Sequence, residues 1–128
     1  MLLHDLVVTS ANVAATRSRL EKRRHLADAL RAAAMDEVEV VASFLSGRIR
    51  QRRTGVGWRG LAELPEPASE PSLTPVEVDA TLELVAQLSG PGSQGQRSRA
   101  VTELFQRATA AEQTMLRGLI SGLSLIHI

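Results

Sequence analysis

The apolar residues of this chain recur at helical spacings and hardly ever alternate, a pattern that confines it to an all-α fold. Leu20, Ala27, Leu30 and Ala34 follow one another at intervals of seven, three and four, with Leu26 and Ala33 alongside. Such intervals place side chains on one face of a helix. Val78, Leu82, Val85 and Leu88 repeat the pattern at four, three and three. A strand needs a period of two and favours β-branched and aromatic residues. The chain has no alternating run of that sort, and its aromatics are Phe44, Trp58 and Phe105 alone. Ala, Leu, Arg and Glu, all good helix formers, fill the intervals.

Start and stop signals divide the helices. The first is predicted over residues 2–15, with Leu3, Leu6, Val7, Val13 and Ala14 available for burial. Thr16 is placed to cap a second, running to about residue 34, and Asp36 a third through Val38, Val41, Phe44 and Leu45, stopped by Gly47. Residues 47–64 are of a different kind, with Gly55, Gly57 and Gly60 in a loop over a core anchor, Trp58. Residues 65–75 are rich in Pro and Ser and read as an extended connector without a core of its own. Thr74 with Glu77 at capping-box spacing, and Pro75 at the first helical position, open the next helix. Residues 89–96 break it. A further helix over 96–109 buries Val101, Leu104, Phe105 and Ala108, and a last one, from about Ala110, carries Met115, Leu116, Leu119 and Ile120. The architecture expected is two small helical bundles, residues 1–64 and 76–122, joined by a Pro-rich linker over 65–75.

Size and composition exclude most chemistry. At 128 residues the chain can form one modest core but not a two-domain enzyme. It has no cysteine, which removes disulfides, zinc–thiolate sites and thiol nucleophiles and fits a cytoplasmic protein. The N-terminus lacks the basic and apolar regions of a secretory signal, and its apolar residues are interrupted by His4, Asp5, Thr9, Ser10 and Asn12, so no membrane partner is expected. His4, His25 and His127 show no ligand-like pairing. The carboxylates between residues 61 and 95 fall in the linker or on a solvent-facing helix, and no Lys-Ser or Lys-Thr follows the glycines. No catalytic residue, metal ligand or cofactor is therefore assigned to this chain.

Charge is informative where chemistry is not. The net charge of +1 hides +5 over residues 1–60, −6 over 61–95 and +2 over 96–128. Arg17, Arg19, Lys22 and Arg23 open a helix, where guanidinium groups and exposed amides can meet phosphates. Arg48, Arg50 and Arg53 lead into Gly55 and Gly57, whose backbone can approach a phosphate closely. These nine residues are the candidate DNA contacts. A solvated helix face is the competing reading of either cluster. Scarce aromatics argue against a single-strand platform, and no recognition-helix or zinc-finger pattern is present, which leaves nonspecific duplex DNA as the partner.

Thr16-Arg17-Ser18-Arg19-Leu20-Glu21-Lys22, then Phe44-Leu45-Ser46-Gly47 and Gly55-Val56-Gly57-Trp58, resemble the N-terminal domain of actinobacterial-type ATP-dependent DNA ligases. Glu77-Val78-Asp79, the Ser89-Gly90 to Ser93 turn, Arg107-Ala108-Thr109 with Glu112-Gln113, and Leu119-Ile120-Ser121-Gly122 extend the resemblance in the same order over nearly the whole chain. The resemblance implies an incomplete, all-helical DNA-binding domain that grips nicked duplex DNA for a parent enzyme sealing nicks in replication, repair and recombination, in the bacterial cytoplasm at the nucleoid. In that family ATP and magnesium act downstream, at a Lys-x-Asp-Gly motif. Lys22, the chain's one lysine, stands in Lys-Arg-Arg-His instead, so the chain alone should be inactive, the nucleotidyltransferase and OB domains being absent from it. A standalone nucleic-acid-binding regulator and a protein-interaction module are the alternatives.

Past Gly122 the family continues Glu-Leu-Arg-Gln-Gly, whereas this chain reads Leu123-Ser124-Leu125-Ile126-His127-Ile128. That hexapeptide can be encoded by a codon string resembling a transposase end used in sequencing libraries. Residues 123–128 are therefore read as a non-native tail on a truncated fragment, a genuine C-terminus being the alternative. Truncation would leave Leu119, Ile120, Leu123, Leu125 and Ile126 incompletely covered.

Overall fold

The structure is a computed structural model and describes residues 1–51, 54–56 and 61–122. Among the described residues it holds six α-helices and no strand, as the periodicity requires. They are α1 (Leu3–Ala15), α2 (Arg19–Ala32), α3 (Val38–Leu45), α4 (Pro75–Gln87), α5 (Ser93–Gln106) and α6 (Ala110–Ser121).

The two helical halves share one core. Leu3 and Leu6 of α1, Val41 and Phe44 of α3, Val78, Leu82 and Val85 of α4, Leu104 and Phe105 of α5, and Leu116 and Leu119 of α6 form a single buried cluster. Helix α1 packs on α2, α3 and α6, while α4 packs on α3 and α5. Two separate bundles would each have left one face of these short helices wet, and merging them removes that apolar area from water.

The proline-rich strap belongs to this core. Leu73 and Pro75 are buried. The Leu3 N–H donates to the Leu73 carbonyl at 2.8 Å, and the Ala68 N–H to the Ala108 carbonyl at 2.9 Å. Gln113 is buried, and its Nε2 donates to the carbonyls of Pro65 (3.1 Å) and Phe105 (2.9 Å). Thus the connector expected to lack a core of its own lends Leu73 to the common one and is fastened at both ends.

Local signals set most helix ends. Thr74 and Glu77 form the anticipated reciprocal cap of α4: the Glu77 N–H donates to Thr74 Oγ1 at 3.2 Å, and the Thr74 N–H to Glu77 Oε1 at 3.3 Å. Gly47 ends α3 with φ 77°, the Arg48 N–H reaching back to the Ser43 carbonyl (3.0 Å) and the Gly47 N–H to that of Phe44 (2.9 Å). This is the Schellman arrangement, which needs a left-handed residue at that point.

Several expectations shift. Ser18, not Thr16, caps α2, its Oγ accepting from the Glu21 N–H at 3.2 Å. Asp36 stays exposed and makes no cap of α3; instead buried Glu37, one methylene longer in reach, accepts from the Ala34 N–H at 2.7 Å and holds the turn. Helix α5 begins at Ser93, three residues early, and ends at Gln106, because Thr109 is the cap of α6, paired reciprocally with Glu112. Leu20 is 68% exposed, and the inward face of α2 centres on buried Ala29 with Leu26, Leu30 and Ala33 half-buried. Nine residues at about 100° each put Leu20 half a turn round from Ala29. Val7 is only half-buried, and Ala14 and Ala34 are exposed. Leu119 is buried and Ile120 half-buried, so the cover expected to be missing there is largely supplied. Trp58, Leu123, Leu125 and Ile126 lie outside the described residues.

Candidate nucleic-acid interface

The first basic cluster lies at the entry to α2. Arg17 precedes the Ser18 cap, and Arg19 and Arg23 follow within the first turns; all three are exposed, as is Arg24. Lys22 is half-buried, because its position turns it toward the Ala29 face. The acid within this cluster, Glu21, is directed elsewhere: its Oε2 accepts from Thr16 Oγ1 at 2.5 Å. Thr16 Oγ1 also accepts from the Ser18 N–H at 3.2 Å. With Glu21 so held, Arg17, Arg19, Arg23 and Arg24 form no ion pair with a described carboxylate. Exposed guanidinium groups in that state keep their donors for an outside acceptor.

The second cluster leaves the end of α3. Arg48 is exposed and forms no ion pair with a described residue, its carbonyl accepting from Ser43 Oγ at 2.9 Å. Arg50 is partly committed, its Nη1 lying 3.4 Å from Asp79 Oδ2 on α4. Beside it, buried Gln51 donates through Nε2 to Asp79 Oδ1 (3.2 Å) and Glu83 Oε2 (2.9 Å). Segment 48–51 is thus tied to the second helical half. Arg53 and Gly57 lie outside the described residues, whereas Gly55 is described, with φ 75°.

Gly55 meets a residue that nothing in the sequence singles out. A Cβ built on Gly55 would lie 2.7 Å from both Cζ and Nε of Arg97, on α5. Arg97 in turn donates through Nη2 to the Leu88 carbonyl at 2.9 Å, at the start of the turn before α5. Its guanidinium joins the two glycine-containing loops, which the helical pattern assigns to separate bundles. No periodicity or motif marks Arg97, since the contact is long-range.

Other features carry structure rather than chemistry. Arg107 pairs with Glu77 at 2.7 Å, and this hydrogen bond holds the Glu77 carboxyl below the usual carboxylate range against a smaller opposing effect of burial. A groove of about 500 Å³ between α1 and α2 is lined by Asp5, Thr9, Asn12, His25 and Asp28 among others. Among the described residues, no group of three or more His, Asp or Glu side chains could hold a metal ion, and no helix is long and apolar enough to cross a membrane.

Fold and surface together define an all-helical segment with two clusters of exposed arginines, one at the entry to α2 and one at the exit from α3. No protein-family profile matches the chain, and no solved structure matches it. Curated relatives do. The chain is 55% identical over 122 residues to a probable DNA ligase of Beutenbergia cavernae, and 54% over 125 residues to one of Kineococcus radiotolerans. It is 52% identical over 124 residues to the DNA ligase B of Mycobacterium tuberculosis. Each match takes in 95% of this chain. By sequence the chain is a fragment of an actinobacterial DNA ligase, spanning about a quarter of the length of these relatives.

Proposed function

We propose that residues 1–122 form the leading part of the N-terminal DNA-binding domain of an ATP-dependent DNA ligase, and that they hold duplex DNA, nicked in the working enzyme, by its phosphate backbone. The observation that carries this reading is the set of exposed guanidinium groups at Arg17, Arg19, Arg23, Arg24 and Arg48, none in an ion pair with a described carboxylate. Phosphate contacts of this kind position a protein on DNA without reading sequence, and they suit an enzyme that must accept a nick anywhere. Arg50 joins them through the donors that Asp79 leaves over.

Sealing itself falls to segments of the parent protein outside this chain. The residues present do not fit ATP or magnesium: Lys22 is not in a Lys-x-Asp-Gly setting, and the described residues hold no metal-binding group. The parent is placed in the bacterial cytoplasm at the nucleoid, serving replication, repair and recombination.

Fluorescence anisotropy with a nicked duplex across a salt series tests the reading. Affinity should fall steeply with salt, and each of Arg17→Ala, Arg19→Ala and Arg48→Ala should lower the log–log slope by about 0.9 for every phosphate it leaves unneutralised. Binding indifferent to salt and to all three changes would support a protein-interaction module instead.

A further inference from the structure

The segment presenting the second basic cluster leaves α3 through the Arg48–Ser43 bonds, and beyond them its anchorage lies in the other half of the chain. Arg50 and Gln51 reach Asp79 and Glu83 on α4, and Gly55 lies against Arg97 on α5. Of these ties the one through Arg97 is the least suited to stability alone. The side chain is half-buried, its Nη2 serves the Leu88 carbonyl, and its Nε is buried without an acceptor. A methionine would fill similar space without leaving a buried donor unpaired. What the guanidinium adds is a rigid planar slab, one edge hydrogen-bonded to the α4–α5 turn and its surface against Gly55. A Cβ at Gly55 would stand 2.7 Å from the guanidinium carbon and push the Arg97 side chain away, and φ 75° would strain any residue that carried one.

We propose that Arg97 is a positioning residue: it fastens segment 54–56 to the α4–α5 turn and so sets where Arg48 and Arg50 present their charge to a phosphate backbone. This rests on the proposed DNA binding, but the clamp can be tested apart from it. Arg99 supplies the control. It lies two residues along the same helix, is exposed, and forms no ion pair with a described residue.

The experiment compares Arg97→Met, Arg97→Lys and Arg99→Met in the 128-residue chain, by hydrogen exchange at Val56, whose N–H donates to Thr54 Oγ1 at 3.2 Å, and by nicked-duplex affinity across a salt series. In Arg97→Met, exchange at Val56 should rise about tenfold as local opening becomes easier, with the amides of α2 unchanged. Arg97→Lys keeps the charge but not the slab, and should fail to restore either exchange or affinity. The salt slope of Arg97→Met should drop by more than the roughly 0.9 of a single lost phosphate contact, since several contacts shift together, while that of Arg99→Met should drop by no more than that. Unchanged exchange in Arg97→Met would overturn the clamp whatever DNA does. Full recovery of affinity in Arg97→Lys would overturn it in favour of a direct phosphate contact. A wild-type chain that binds no DNA would defeat the functional reading, and exchange alone would then decide the clamp.

Discussion

Gln113 holds the strap to the α5–α6 corner, and its replacement by leucine is the sharpest test of the shared core. The side chain is buried, and its Nε2 makes hydrogen bonds of 2.9 Å to Phe105 and 3.1 Å to Pro65. Both lengths are ordinary for N–H···O bonds, so each should contribute about 0.5–1.5 kcal/mol net. Leucine keeps the volume but supplies neither bond; the carbonyl of Phe105 retains the Ala108 N–H at 3.1 Å, so it is not left without a donor. Water can reach Pro65, which is half-buried, so its share is smaller. The expected loss is about 1–3 kcal/mol. For a chain of 128 residues, unfolding entropy near 2 cal/mol/K per residue converts this to a Tm fall of roughly 4–11 °C. Differential scanning calorimetry reads it directly, with Gln106→Leu, at an exposed position on the end of α5, as the control. If the two variants melt within about 2 °C of each other, the strap is not fastened through Gln113 and the two halves do not share a core in the way described.

Removing the α6 cap with Thr109→Ala should cost about 1 kcal/mol in urea unfolding, and Thr109→Ser should recover most of it. Gly55→Ala should destabilise and also weaken DNA binding, since φ 75° strains alanine and its Cβ enters the Arg97 guanidinium; equal urea midpoints would contradict the contact. The Glu77 carboxyl is lowered in the fold, chiefly by Arg107, so its stabilisation is present above the ordinary carboxylate value and is lost as pH falls through the depressed one. Arg107→Met should therefore flatten the acid limb of a stability–pH profile. The effect should stay below about 1 kcal/mol, because both side chains are more than two-fifths exposed.

What could be seen in the sequence was what depends on neighbours along the chain. Thr74, Pro75 and Glu77 announce the start of α4 because capping is settled within four residues. Gly47 likewise stops α3 by its own backbone. Thr109 misleads because a threonine can extend one helix or cap the next, and the reciprocal bond with Glu112 decides between them. The basic clusters were visible as composition, but Glu21's turn toward Thr16 and Arg50's pairing with Asp79 were not, being matters of direction and of long-range contact. Arg97 is the extreme case: its partners stand nine residues before it, at Leu88, and far earlier, at Gly55. Several family-like words proved to be joinery. Arg107-Ala108-Thr109 with Glu112-Gln113 supplies an ion pair, a carbonyl for the strap, a helix cap and the strap's side-chain clasp.

The strap also acts as a ruler. Ala68 is bonded to Ala108 and Leu73 to Leu3, while residues 69–72 between them are exposed. The span between those two bonds therefore has a minimum length. Extra residues inserted between Glu70 and Pro71 would bow into solvent at little cost, but deleting one would draw Ala68 or Leu73 off its partner. Among proteins built on this plan, length variation in the strap should collect at those four positions, and a foreign peptide displayed from this segment belongs there and nowhere else along it.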